Sequence, residues 1–157
     1  MKPHIGITDK NLKAITSMLQ SVLADSVVLY TKTRKFHWNV NGSDFMELHK
    51  LFEHQYSKLE EAIDEIAERI SKFGAESIGT LQEFMKLATL KEHPGKNPPP
   101  TGMLQELLAD HEAVIQALRK HIDELEDKYK DKGTSDFLNG IMQEHETIAW
   151  TLRRYLR

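Results

Sequence analysis

The uneven spacing of glycine and proline constrains this chain more than any other feature of its sequence. Neither residue occurs at positions 7–41, 43–73 or 103–132, whereas four of the five prolines lie between positions 94 and 100. Only five valines are present, so the β-branched runs that are typical of strands are missing. Long uninterrupted stretches between short breaks are typical of helices, and the pattern predicts an all-α chain.

Apolar residues inside these stretches recur at three- and four-residue steps, as they do on one face of a helix. The steps predict four amphipathic helices. Their stripes are Leu12, Ile15, Leu19, Val22, Ser26, Leu29, Thr33 and His37; Phe45, Leu48, Phe52, Leu59, Ile63, Ile66, Ile70 and Phe73; Leu104, Leu107, Leu108, Val114, Leu118, Ile122 and Leu125; and Phe137, Leu138, Ile141, Ile148, Leu152 and Leu156.

The helix ends and connections predict how these helices are joined. Gly74 and Gly133 are expected to stop the second and third helices. The connection Gly74–Thr101 is too long for a tight turn, so it must cross the length of the bundle, and Leu81–Leu90 can form a short helix within it. A four-helix bundle with one long crossover is the ferritin-like arrangement. The residues expected to cap the first, second and fourth helices are Thr8 or Asp9, Ser43 or Asp44, and Ser135.

Length and composition narrow the class of protein. A chain of 157 residues predicts one domain over 1–157, with 1–8 as a short N-terminal tail. The absence of cysteine excludes disulfides, thiolate zinc sites and cysteine nucleophiles. A net charge of −3 gives no general attraction to nucleic acid. We see no apolar run of about 20 residues and no signal peptide, so we expect a cytoplasmic protein without membrane contacts.

The chain lacks the usual ligand motifs of metal enzymes. No glutamate is followed three residues later by histidine, which excludes the Glu-x-x-His pairs of a di-iron site inside one ferritin-type bundle. The zincin motif His-Glu-x-x-His is also missing. Any metal site in this chain must therefore be built in another way.

Four possible ligands lie on one side of the second helix. His49 and Glu53 are four residues apart, as are Asp64 and Glu68, and all four fit within an arc of about 100°. However, the two pairs are about 22 Å apart along the helix, whereas metal–ligand bonds measure about 2 Å. One copy of the helix therefore cannot bring both pairs to one ion.

Two copies of the helix can complete a site. If the helix packs antiparallel against its symmetry mate near Lys58 and Leu59, each His49/Glu53 pair meets an Asp64/Glu68 pair, and the site forms twice. His37 can add a second imidazole. Such nitrogen and oxygen ligands suit Fe(II), Mn(II) or Zn(II). The alternatives are that each pair is an ordinary solvated i, i+4 pair and that His37 is a packed, hydrogen-bonded histidine.

Two segments closely resemble the signature of the Dps family of miniferritins. They are Phe36-His-Trp-Asn-Val-Asn-Gly-Ser-Asp-Phe-Met-Glu-Leu-His-Lys-Leu-Phe-Glu53 and, further along, Asp64-Glu-Ile-Ala-Glu-Arg69. The resemblance implies an iron-oxidising centre between two subunits. Trp38 matches a tryptophan beside that centre that can supply an electron, although it can also be a core aromatic. The ligand roles implied are His37, His49 and Glu53 from one chain, and Asp64 and Glu68 from its mate.

The family resemblance also implies assembly and partners. Members form hollow dodecamers that oxidise Fe(II), preferably with hydrogen peroxide, and store the ferric product. Asp131 and Asp136 resemble residues that line the family's iron-entry pores, or they belong to a solvated helix end. Two other functions stay open: a DNA-compacting nucleoid protein with incidental metal binding, and a structural helical oligomer. We expect weak or absent DNA binding, because Met1–Thr8 carries a single lysine.

Overall fold

The computed structural model describes residues 3–157 as five α-helices, with no strand in that part of the chain. The helices are α1 (Asp9–Asn39), α2 (Phe45–Lys72), α3 (Leu81–Leu87), α4 (Pro100–Glu124) and α5 (Lys132–Tyr155). A π-helical turn, Leu125–Tyr129, continues α4. The predicted all-α, ferritin-like bundle with a short helix in its long crossover is confirmed. Lys2 of the expected tail lies outside the described residues.

The four long helices form two helical hairpins, α1 with α2 and α4 with α5, which pack around one apolar core. All eight residues of the first predicted stripe are buried, from Leu12 to His37. The other stripes are mostly buried, but Phe45 at the start of α2 is exposed. Since burial of a Leu- or Phe-sized side chain contributes about 1.5–3 kcal/mol, this shared core is the main stabilising contribution.

Helix α1 is long and apolar enough to cross a membrane by length and composition alone. Our expectation from the sequence, that no segment is long and apolar enough to span a membrane, therefore overlooked α1. However, 61% of its most apolar stretch is buried inside the bundle. The central helix of a packed bundle meets the same criterion, because its neighbours cover it on several sides.

The helix ends follow local capping chemistry and correct two predictions. Thr8 caps α1 by accepting a hydrogen bond from the Asn11 amide. By contrast, α5 begins at Lys132 and is capped by Asp131, not near Ser135. Gly133 therefore lies inside α5, and the preceding π-helical turn ends at Tyr129 and is capped by Lys130, which adopts the left-handed conformation at φ +55°.

Gly74 ends α2 as predicted. Its φ of +75° is strained for any residue with a Cβ. A Cβ at this position would also lie 2.9 Å from the ring of Pro3, so the close approach of the N-terminal segment adds a second reason for glycine.

Two buried charges on α1 hold the crossover in place. Asp25 accepts hydrogen bonds from the Thr89 amide at 2.6 Å, the Thr89 hydroxyl at 2.7 Å and the Leu90 amide at 2.9 Å. Lys32 donates to the Lys91 carbonyl and pairs with two carboxylates of α4, Glu106 and Asp110. The crossover is thus fastened to α1, and Lys32 links the same part of α1 to α4.

Candidate metal centre

Two of the predicted ligands meet where α1 ends and α2 begins. The turn between these helices brings His37 back onto His49, and their rings stack with centroids 3.7 Å apart and planes 19° apart. His37 is 8% exposed, and His49 is partly exposed. The structure therefore places the two imidazoles together, an arrangement that fits both the proposed metal site and the packed-histidine alternative.

Each ring is fixed by the backbone of the other residue. The Nδ1 of His37 lies 2.8 Å from the carbonyl oxygen of His49, and the Nδ1 of His49 lies 2.9 Å from the carbonyl oxygen of His37. Because a carbonyl only accepts hydrogen bonds, both Nδ1 atoms must carry the proton and donate. In the neutral rings the lone pairs are then on both Nε2 atoms, the tautomer that a metal ion needs.

The carboxylates do not join the histidines within one chain. Glu53, Asp64 and Glu68 are all exposed on α2, and Glu68 contacts Lys72 at 3.4 Å. Within residues 3–157, no three histidine or carboxylate side chains converge on a point that can hold a metal ion. The chain thus carries a histidine half, with His37, His49 and Glu53, and an acidic half, with Asp64 and Glu68, about 22 Å from His49 along α2.

Trp38 is not a core aromatic of this chain, because 65% of its surface is exposed. Its ring lies beside Arg34, whose guanidinium carbon is 5.3 Å from the ring centroid. Trp38 follows His37 directly, and the exposed ring of Phe45 lies 5.1 Å from the ring of His49, so exposed aromatic surface adjoins the histidine half. Exposed aromatic side chains next to polar ligands are typical of a surface that a partner covers.

The sequence reasoning missed two residues that support the histidine half. The ring of Tyr56 contacts His37 edge-on at 5.2 Å, and Arg34 stacks over Tyr56 at 5.0 Å. Arg34 also donates a hydrogen bond to the Tyr30 hydroxyl. The signal was available in the spacing, since Tyr56 follows His49 by two helical turns and Arg34 precedes His37 by about one.

The proposed pore residue Asp131 has a structural task in this chain. It is buried, it accepts hydrogen bonds from the amide and hydroxyl of Thr134, and Arg69 lies 4.0 Å away. Asp131 therefore caps α5, and within one chain its carboxylate is buried and not part of a solvated helix end. Asp136 is exposed and lies beside a groove between α2 and α5.

Comparisons with known proteins agree with this architecture. The family described as "Ferritin-like domain" matches residues 16–157. An uncharacterised low temperature-induced protein of Nostoc is 48% identical, with 98% of this chain and 86% of that protein covered. "DNA protection during starvation protein 2" of Bacillus anthracis is 36% identical, with 92% and 97% covered.

A solved structure gives the same result. The crystal structure of the DPS protein from Vibrio cholerae O1, described as a member of a broad superfamily of ferritin-like diiron-carboxylate proteins, superposes with a TM-score of 0.93. It is 29% identical and covers 99% of this chain and 97% of its own. Sequence and structure together show that the chain belongs to the Dps family and is a Dps-type miniferritin.

Proposed function

We propose that this protein oxidises Fe(II), with hydrogen peroxide as the preferred oxidant, at centres shared between two subunits and stores the ferric product. The observation that carries the proposal is the histidine half, where each imidazole is held by the other residue's carbonyl so that both Nε2 atoms are free. A structural role for the two histidines does not require both rings to present the metal-binding tautomer at one place.

A second copy of α2, packed antiparallel, supplies the missing acidic half. The midpoint between the two halves lies near residues 58 and 59. Of these, Lys58 lies on the outer surface and pairs with Glu61, whereas Leu59 is buried in its own chain. The two-fold contact therefore passes the exposed, ligand-bearing face of α2, at the level of these two residues along the helix. Such a contact creates two identical centres per dimer.

The residues of the combined centre have distinct chemical roles. His37 and His49 bind Fe(II) through neutral nitrogens, while Glu53, Asp64 and Glu68 supply hard, negative oxygens that favour Fe(III) over Fe(II). Two Fe(II) ions each lose one electron, and hydrogen peroxide takes both electrons and two protons to give two molecules of water. Because the electrons are transferred in a pair, no hydroxyl radical is released.

We further propose that the subunits form a closed homo-oligomer, a dodecamer, in the cytoplasm. DNA is then protected by the removal of iron and peroxide, in keeping with the name of the Bacillus anthracis relative. The alternative, DNA compaction by direct contact, has little support in the described residues. Arg153 is paired with Glu112 at 2.7 Å, and the other basic residues are scattered on a chain of net charge −3.

The test is anaerobic addition of Fe(II), then peroxide, with ferric absorbance as the measurement. We expect oxidation well above the protein-free rate, and Asp64→Asn should slow it at least tenfold because a ligand is lost while the helix surface is retained. Glu65→Gln is the matched control, as it removes a neighbouring exposed carboxylate outside the ligand set. A wild-type rate equal to that of the protein-free solution would refute the proposed activity.

A further inference from the structure

A second pair of histidines lies in the core of the bundle, remote in sequence from the candidate metal centre. The Nδ1 atoms of His111 on α4 and His145 on α5 are 2.9 Å apart, and the ring centroids are 4.9 Å apart. The two residues are 0% and 2% exposed. We call this pair the histidine clasp, since it is a direct polar link between α4 and α5 inside an apolar core.

The hydrogen bond of the clasp fixes its protonation state. A nitrogen-to-nitrogen bond needs one donor and one acceptor, so the two neutral rings share one proton between their Nδ1 atoms. A second proton lies on one of the two Nε2 atoms. Adding a third proton fills both Nε2 atoms, which leaves a charge in the core. Adding a fourth puts protons on both Nδ1 atoms and breaks the bond.

The surroundings of the clasp do not stabilise an added charge. The Nε2 of His111 is buried and has no hydrogen-bond partner, so a proton there becomes an unpaired buried donor. One turn to either side, each histidine is flanked by buried apolar residues. These flanking residues are Leu107 and Val114 on α4, and Ile141 and Ile148 on α5.

The clasp borders a groove between α2 and α5. The groove has a volume of about 350 Å³, and His145 forms part of its lining. Because the Nδ1 of His145 is occupied by His111, its Nε2 is the atom left to meet a proton from this side. The charged residues that line the groove are Lys58, Glu61 and Glu65 on α2, and Asp136 and Glu144 on α5.

The other buried charges among residues 3–157 are engaged elsewhere, and Asp131 caps α5. On α1, Asp25 holds the crossover and Lys32 pairs with Glu106 and Asp110 of α4. Burial lowers the pKa of His145 to about 4. Burial, and secondly the charge of His145, lowers the pKa of His111 well below its ordinary value of 6.5. Both rings are therefore neutral at pH 7.

We propose that the histidine clasp is an acid-sensitive fastener, which holds α5 to α4 while neutral and releases it when protons enter through the groove between α2 and α5. The direction of the pH dependence follows from the coupling between proton binding and opening of the structure. A histidine with a lowered folded pKa takes up its proton only when the structure opens, so opening becomes easier as the pH falls below about 6.5. For His145 this dependence levels off near pH 4. The proposal does not depend on iron oxidation.

Hydrogen exchange of the assembled protein, read by mass spectrometry between pH 7 and 4.5 and corrected for the intrinsic rate, tests the proposal. Below pH 6, the opening constant of amides around His111 and His145 should rise about tenfold per pH unit for each ring that takes up a proton. In the double variant His111→Gln/His145→Gln this slope should vanish, because glutamine keeps polar contacts without titrating in this range.

The matched control is His54→Gln, which removes an exposed histidine from α2 outside the clasp and should keep the wild-type slope. A double variant with the wild-type slope would overturn the proposal. If the double variant does not fold, the wild-type exchange data across this pH range still test the proposal. Opening confined to α4 and α5 supports the clasp, and acid-induced opening that begins in α1 or α2 contradicts it.

Discussion

The division of the proposed centre between subunits predicts complementation between two inactive variants. His37→Ala/His49→Ala destroys the histidine half and leaves the acidic half intact, and Asp64→Ala/Glu68→Ala does the opposite. Each variant alone should be close to the protein-free rate of iron oxidation. Both should still assemble, because the substituted side chains are not part of the apolar core except for His37 at its edge.

The size of the recovery follows from the geometry of a two-fold contact. In a dimer of unlike variants, one centre combines the two damaged halves and the other combines the two intact halves. Random pairing of equal amounts makes about half of the dimers mixed, and each mixed dimer has one working centre of two. Mixed assemblies should therefore regain about a quarter of the parental rate per subunit.

The assay uses co-expression of the two variants with different affinity tags, and purification through both tags guarantees mixed assemblies. The control replaces the Asp64→Ala/Glu68→Ala partner by a chain that carries all four substitutions, in which no intact histidine half exists. This control should show no recovery. Recovery equal to zero in verified mixed assemblies of the first pair would refute the shared centre, since a site within one chain cannot be complemented.

Three further predictions concern assembly, stability and DNA. Sedimentation should give a particle of about twelve times the 18.1 kDa subunit mass, and an isolated monomer at micromolar concentration would contradict the shared site. Asp25→Ala should lower the free energy of unfolding by about 3 kcal/mol, because two backbone amides of the crossover lose a charged acceptor. Denaturant unfolding measures this, with Asp25→Asn as a milder control. Gel-shift titration at 150 mM salt should show no retained DNA complex, whereas tight complexes would show that sparse surface charges suffice.

The helices could be predicted from the sequence because the apolar periodicity of each helix is present in its own segment of the chain. The first stripe, from Leu12 to His37, is buried along its whole length. The start of α5 could not be predicted in the same way. Asp131 and Ser135 both have side chains that can cap a helix start. Asp131 is the cap because it bonds to Thr134 and lies near Arg69. That choice depends on tertiary contacts with α2.

The candidate centre, too, could be predicted only in part from the sequence. The spacing on α2 was enough to assign His49, Glu53, Asp64 and Glu68 to one face, but the stacking of His37 on His49 depends on the turn between α1 and α2. The clasp was missed because His111 and His145 lie within apolar stripes as single polar residues. Their meeting depends on the register of α4 against α5, which no local pattern encodes.

The arrangement of ligands makes the proposed chemistry depend on assembly. Within one chain, the fixed imidazoles of His37 and His49 provide two nitrogens, and no third histidine or carboxylate of the described residues converges with them. The exposed Trp38 and Phe45 beside them are apolar surface that association would bury. Burial of that surface and completion of the centre thus favour the same dimer. Iron bound only by the assembled form must, by mass action, stabilise the assembly in return. In the proposed centre, α2 carries His49, Glu53, Asp64 and Glu68 on one face and α1 adds His37, so iron binding would be linked to the joining of subunits.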